Sequence, residues 1–223
     1  LAKTQMNSPF NQMPISDEPD NASAAPVRKR PRPGERKIQI LQVLAEMLES
    51  PKGDRVTTAA LAARLDVSEA ALYRHFASKA QMFEGLIAFI EQTIFGLINQ
   101  ITEREEAGDR QAQEILMLLL GFGEKNPGMI RVLLGDALWL EDERLQERIL
   151  QIFERIESSL KQSLRIAQTQ GRLTQSADGQ EVSARAAMMM SYVVGRWHRY
   201  ARSGFKKSPT EFNELPMRVL FSA

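Results

Sequence analysis

The run from Thr57 to Lys79, TTAALAARLDVSEAALYRHFASK, constrains this chain more than any other stretch. Thr57 or Thr58 stands where a hydroxyl caps a helix by accepting a bond from an orphan N–H. Leu61, Ala62 and Leu65 then give that helix a single apolar face. Asp66 and Val67 make a turn. Ser68 caps a second helix, and Glu69 in its first turn suits the positive end of the dipole. A third helix opens at Ser78 and Lys79. Two short capped helices joined by a tight turn, with a longer one behind, leave few possible folds.

The second of these helices presents Ser68, Glu69, Tyr73 and Arg74 among small alanines. Small residues let a helix sit deep in a DNA major groove, which is about 12 Å wide. In a helix-turn-helix it is the second helix that enters the groove. A plain helical hairpin would carry the same caps. Against it stand Tyr73, Arg74 and His75, which crowd the helix end with groups able to bond phosphate. Lys79 lies at a helix N-terminus, whose N–H groups are themselves an anion site. Thr57, Thr58, His75 and Lys79 are therefore assigned to phosphates, and Ser68, Glu69, Tyr73 and Arg74 to reading. Upstream, Arg28, Lys29, Arg30, Arg32, Arg36 and Lys37 are offset only by Glu35. Such a run is either a solvated linker or a phosphate-binding arm, giving affinity and salt dependence with little sequence choice.

With 223 residues, 43% hydrophobic and 26% charged, the chain has ample material for a core. The formal net charge is only +1, so charge distribution rather than total charge carries the nucleic-acid reading. There is no cysteine, which excludes disulfides and thiolate metal sites, and His75 and His198 are the only histidines. No Gly-rich phosphate loop or nucleophile elbow appears, and Glu141, Asp142 and Glu143 look like a solvated helix start. An enzyme and a cofactor are both rejected on these grounds. The longest apolar run, Ile115 to Leu120, falls far short of the roughly 20 residues that span a bilayer, so no membrane segment is expected. Residues 1–33 are poor in apolar groups and lack a secretory pattern; they are expected to be a disordered tail.

From residue 34 onward, helical spacing recurs and no strand pattern competes. The expectation is an all-α fold of about nine helices: a three-helix DNA-binding domain with helix-turn-helix over 34–80, and a helical dimerisation domain over 81–223. The helix opening at Ser78 runs to about Glu103 with Phe83, Leu86, Ile87, Ile90 and Ile94 on one stripe. Another spans Asp109 to Lys125 and stops at Asn126-Pro127-Gly128, a short helix follows, and a long one continues to about Gln170. Over residues 182–200, Val182, Ala186, Met189, Met190, Val193, Val194, Trp197 and Tyr200 make a stripe wider than one core contact needs, which suggests a partner. Within Leu116–Arg131, Gly121 and Gly123 each cost a helix interior about 1 kcal/mol against Ala. Either another helix of the same subunit packs closely on them, or they floor a groove for a partner.

ALYRHFASK, preceded by TTAALAARLDVSEA, resembles the DNA-binding domain of tetracycline-repressor-type (TetR) regulators, over residues 36 to 90. AEMLES, SEAALYRHF, SKAQMFEGLIAFIE, LLLGFGEKNPGMIRVLLGDAL and LQERILQIFERIE make the chain similar to the SlmA family of nucleoid occlusion factors within it. FKKSPTEF keeps the character of that family's tail. The resemblance implies a homodimer built on the last two long helices and palindromic double-stranded DNA sites. It also implies a cytoplasmic, nucleoid-associated location and binding of the C-terminal tail of the division protein FtsZ. The positions matching that groove are Phe89, Leu118, Gly121, Lys125 and Asn126. Lys125 stands where the family often has Arg, which keeps the charge but loses the bidentate fork, and Leu97 replaces a family arginine. The rival of the same fold is a ligand-responsive TetR-type repressor with an effector pocket lined by Phe95, Met117, Phe122 and Trp139.

Overall fold

The computed structural model describes residues 34–50, 56–138, 143–173 and 180–221. The tail over 1–33, the Pro51–Asp54 loop and Trp139 lie outside the described residues. The helices are α1 (Glu35–Leu48), α2 (Thr58–Arg64), α3 (Glu69–Tyr73), α4 (Lys79–Arg104), α5 (Gly108–Lys125), α6 (Pro127–Leu133), α7 (Glu143–Thr169), α8 (Glu181–Arg202) and α9 (Glu214–Phe221). A 3₁₀ turn, Asp136–Leu138, follows α6. No strand occurs among the described residues, so the fold is all-α.

α4 is the spine. Met82, Phe83, Leu86, Ile87 and Ile90 serve its first half, and Ile94, Phe95, Ile98 and Ile101 its second; all are buried. Burying each such side chain stabilises the fold by about 1.5–3 kcal/mol relative to leaving it exposed. By length and composition α4 is the one described helix that could cross a bilayer. Its apolar stripe instead packs within the protein, against α1, α5, α6 and α7. No break occurs at residue 80: α4 runs unbroken from the DNA-reading end into the body.

α1 braces α2 and α4, as its Leu41, Leu44 and Leu48 spacing requires, and also meets α6. At that joint a side chain on Gly128 would overlap the Ala45 carbonyl, so the two backbones touch. On the far side α7 packs on both α4 and α5. Glu91 of α4 accepts hydrogen bonds from Arg148 at 2.6 Å and Arg155 at 2.9 Å of α7. The Arg155 guanidinium also lies 3.8 Å from the Phe95 ring centroid.

The stripe on α8 divides differently from the expectation. Val182, Ala186, Met189, Met190, Val193, Trp197 and Tyr200 are all buried within the single protomer. The open face is the adjoining one: Ala187, Ser191, Val194, Gly195 and His198 line a groove against Leu150 and Phe153 of α7, about 620 Å³ in volume. Apolar width therefore marked the core, while small residues mark the open face beside it.

The two glycines of α5 also part company. A side chain on Gly123 would overlap the Trp197 indole, whose Nε1 donates to the Leu119 carbonyl at 3.0 Å. At Gly121 nothing lies within 4 Å of the place a methyl group would occupy. Gly123 is thus close helix packing inside the subunit, and Gly121 borders open space. Gly123→Ala is expected to destabilise by about 1–3 kcal/mol through overpacking. Gly121→Ala is expected to stabilise by up to about 1 kcal/mol from helix propensity. Chemical denaturation of both variants checks the opposite signs.

Glu49, just past α1, has its carboxyl pKa raised by partial burial and by Glu46 beside it, with Arg64 opposing. A raised carboxyl contributes stability below its ordinary value of 4.5 and loses it as pH rises through the folded value. Glu49→Gln is expected to remove that decline, so variant and parent melting curves should diverge as pH climbs above 4.5.

Candidate functional site

Local chemistry builds the reading end. Thr57 Oγ1 accepts from Ala60 N at 3.1 Å and caps α2; Thr58 does not cap but donates to Glu69 Oε2 at 2.6 Å, tying α2 to α3. Asp66 takes φ 54°, and Val67 N bonds the Ala62 carbonyl at 3.0 Å while Asp66 N bonds Ala63 at 3.2 Å. Those two bonds are a Schellman stop, with Asp in the left-handed place usually held by Gly. Ser68 Oγ accepts from Ala71 N at 3.3 Å and starts α3.

α3 is only five residues long and buries Leu72. So short a helix has no stability of its own. Phe76 behind it is buried too, with the Lys37 ammonium 5.6 Å from its ring centroid. The next helix opens on Ser78, expected at the helix start, with a partner in Gln81 that was not, in a variant of the capping box whose return bond falls one residue earlier. Ser78 Oγ accepts from Gln81 N at 3.1 Å, and Gln81 Oε1 accepts from Ala77 N at 2.9 Å. The S-x-x-Q spacing was the available signal for Gln81.

Thr57, Ser68, Glu69, Tyr73 and Arg74 are exposed, and Thr58, His75 and Lys79 are partly buried. All eight belong to the segment that includes α2, α3 and the first turn of α4. Tyr73 stands out with 45% of its surface exposed, unusual for a large ring on a helix that buries its opposite side. Lys79 lies in the first turn of α4, 5.6 Å from the Phe83 ring centroid. Of the upstream basic run only Arg36 and Lys37 fall within the described residues, at the start of α1.

The second candidate site lies along α4 and α5. A short connection, 105–107, makes these helices antiparallel neighbours, and Arg104 pairs with Glu114 across them. Equal helical rise carries Leu97 toward the middle of α5 and Phe89 toward the α5–α6 junction. Phe89, Leu97 and Leu118 are partly buried, and Lys125 is exposed. Asn126 is buried at the junction, where its Nδ2 donates to the Phe122 carbonyl at 2.8 Å. Phe89, Leu118 and Gly121 line none of the three cavities found beside α1 and α7, between α5 and α9, and between α7 and α8.

Three of the four residues named for an effector pocket are described, and they differ in exposure. Phe95 and Phe122 are buried in the core, whereas Met117 is 42% exposed and faces α9.

Known proteins share both parts of the chain. Residues 44–86 match the family described as bacterial regulatory proteins, tetR family. Residues 110–222 match the SlmA-like tetracyclin repressor-like C-terminal domain. A nucleoid occlusion factor SlmA from Alteromonas mediterranea is 54% identical over 180 residues, covering 80% of this chain and 91% of the relative. One from Vibrio cholerae is 49% identical over 176 residues, covering 78% and 88%. In fold, the chain is similar to a TetR family regulator from Agrobacterium tumefaciens, with TM-score 0.66 and 18% identity over 86% of this chain and all of that one. The FadR regulator of Bacillus subtilis, solved with stearoyl-CoA, gives TM-score 0.65 and 13% identity over 83% and 97%. Helix order and reading segment thus define the class, a DNA-binding protein of the tetracycline-repressor type. Within that class, the chain belongs to the SlmA family of nucleoid occlusion factors. The matched families are regulators rather than enzymes.

Lys79→Ala is expected to weaken binding to cognate and random DNA alike and to lower the salt slope by about 1, as loss of a phosphate contact does. Ser68→Ala removes the α3 cap, worth about 1 kcal/mol. It should cut affinity with little change in salt slope. Anisotropy titrations at several salt concentrations separate the two.

Proposed function

We propose that this protein holds palindromic chromosomal sites as a homodimer and, from there, captures FtsZ tails to inhibit division-ring assembly over the nucleoid. Ser68, Glu69, Tyr73 and Arg74 read the bases, and Thr57, Thr58, His75 and Lys79 fix the phosphates. One short reading helix specifies few base pairs, so two-fold pairing is needed to build an operator. The open face of α7 and α8, with Ala187, Ser191 and Gly195 allowing close helix approach, supports dimerisation there. Cytoplasmic, nucleoid-associated residence follows from this role.

The observation that carries the partner reading is the open space above Gly121, one helical turn from partly buried Leu118 and one from exposed Lys125. Helix interiors rarely keep a glycine that no neighbour requires. Phe89 and Leu118 supply apolar contact, Gly121 gives room, and Lys125 pairs with an acid of the tail. Asn126 has one amide hydrogen engaged by Phe122 and offers its remaining polar capacity to the peptide backbone.

The test is binding of a peptide of the FtsZ C-terminal tail to the full-length protein. Leu118→Ala and Lys125→Glu should each weaken it at least several-fold while operator affinity holds, as for contacts worth about 1 kcal/mol. Equal binding by parent and both variants would sink the groove reading. Release of DNA by small lipophilic compounds, with no peptide binding, would favour the effector-responsive repressor.

A further inference from the structure

We propose that residues 203–213 form a second wall of the Gly121 groove, adding a cationic and aromatic contact to an acidic, partly apolar peptide. The inference rests on the groove reading above and extends it to a segment that nothing else assigns to the site.

The segment is held along α5. Ser208 Oγ and Thr210 Oγ1 donate to the two carboxylate oxygens of Glu124, at 2.6 and 2.7 Å. Asn213 Nδ2 approaches Met117 Sδ at 3.7 Å, and Tyr192 OH donates to Asn213 Oδ1 at 2.9 Å. From α8, Arg196 donates to the carbonyls of Ser208 at 2.8 Å, Pro209 at 3.0 Å and Glu211 at 2.6 Å. A segment pinned at this many points keeps its place beside α5.

Helix geometry then locates the groove. At about 100° per residue, Glu124 and Met117 lie on one face of α5, Gly121 roughly 60° round from Glu124, and Leu118 roughly 120° round, toward α4. Gly121 therefore sits between α4 on one side and the 203–213 segment on the other. The α4 side offers Phe89, Thr93 and Leu97, and its nearest described cation, Arg104, is paired with Glu114.

The opposite side offers different chemistry. Lys206 and Lys207 are exposed. Of the local acids, Glu124 has both oxygens engaged by hydroxyls, Glu211 is partly buried, and Glu214 is exposed at the start of α9. Phe212 is 74% exposed and held at φ 60°, a backbone conformation that bulky residues seldom adopt. Strained backbone of this kind persists where its surroundings impose it and clusters at ligand clamps. Two lysines and an exposed ring on a segment pinned along α5 complement a peptide carrying acids and an apolar residue.

The experiment uses the full-length protein, a labelled peptide of the FtsZ C-terminal tail, and operator DNA measured in parallel. The charge reversal Lys206→Glu/Lys207→Glu should weaken peptide binding about tenfold at low salt, and less at physiological salt, as exposed charges do. Phe212→Asn, a residue that tolerates positive φ, should also lose peptide affinity. Operator affinity should stay at the parent value in both variants. Parent-like peptide binding in both, while Leu118→Ala still weakens it, overturns the second wall and leaves the groove reading standing. No peptide binding by the parent protein overturns the groove reading and the wall with it. A parallel fall in operator affinity would make the lysines phosphate contacts, which also overturns the proposal.

Discussion

From Met82 to Ile101, α4 sends a side chain into the core at nearly every turn, and neither end of the molecule has a core without it. Its first half closes the three short helices of the reading end, where Leu61, Leu72 and Phe76 would otherwise have little to bury against. Its second half packs against α5 and α7. Because the helix is continuous, the two ends share one frame. The Gly128–Ala45 joint and the Glu91 pair with Arg148 and Arg155 fasten that frame at two further places.

The two sites draw on different physics. The reading end depends on caps: Thr57, Ser68 and Ser78 each satisfy a backbone N–H that a short helix leaves orphaned. Helices α2 and α3 bury little, so their order comes from local hydrogen bonds and from leaning on α1 and α4. Segments of that kind open at low free-energy cost, which suits a surface that must adjust to DNA. The proposed groove instead lies on α5, among the most deeply packed helices, with Ile115, Leu116, Leu119 and Leu120 fully buried on its other side. A rigid floor keeps an open place open.

Much of this was legible in the chain because it is local. Caps act over three residues, and the apolar stripe of α4 repeats at the helix period, so Ser78 and Leu86 declare their roles without a neighbour. Gly121 and Gly123 could not be told apart by propensity, since each costs a helix the same. Their separation by two residues, about 200° of rotation, did show that they face opposite sides. Which side met Trp197 depended on α8, far along the chain. The wide stripe on α8 was hard to divide for the same reason: apolar width shows how much is buried, but not by which neighbour, and its Met190 and Val194 also line the open groove against α7. In fact α5 and α7 cover it, and small residues border the remaining face.

By itself the sequence determined the helices and their stops, because hydrogen-bond caps and helical periodicity are settled within a few residues of chain. Tertiary structure alone decided that Gly123 serves packing and Gly121 borders space, that the α8 stripe is core, and that residues 203–213 lie along α5. Those outcomes rest on contacts between segments far apart in the chain, such as Trp197 with Leu119 and Ser208 with Glu124. No local pattern encodes such a meeting, since each partner's side chain is equally at home against any surface of the right shape and polarity.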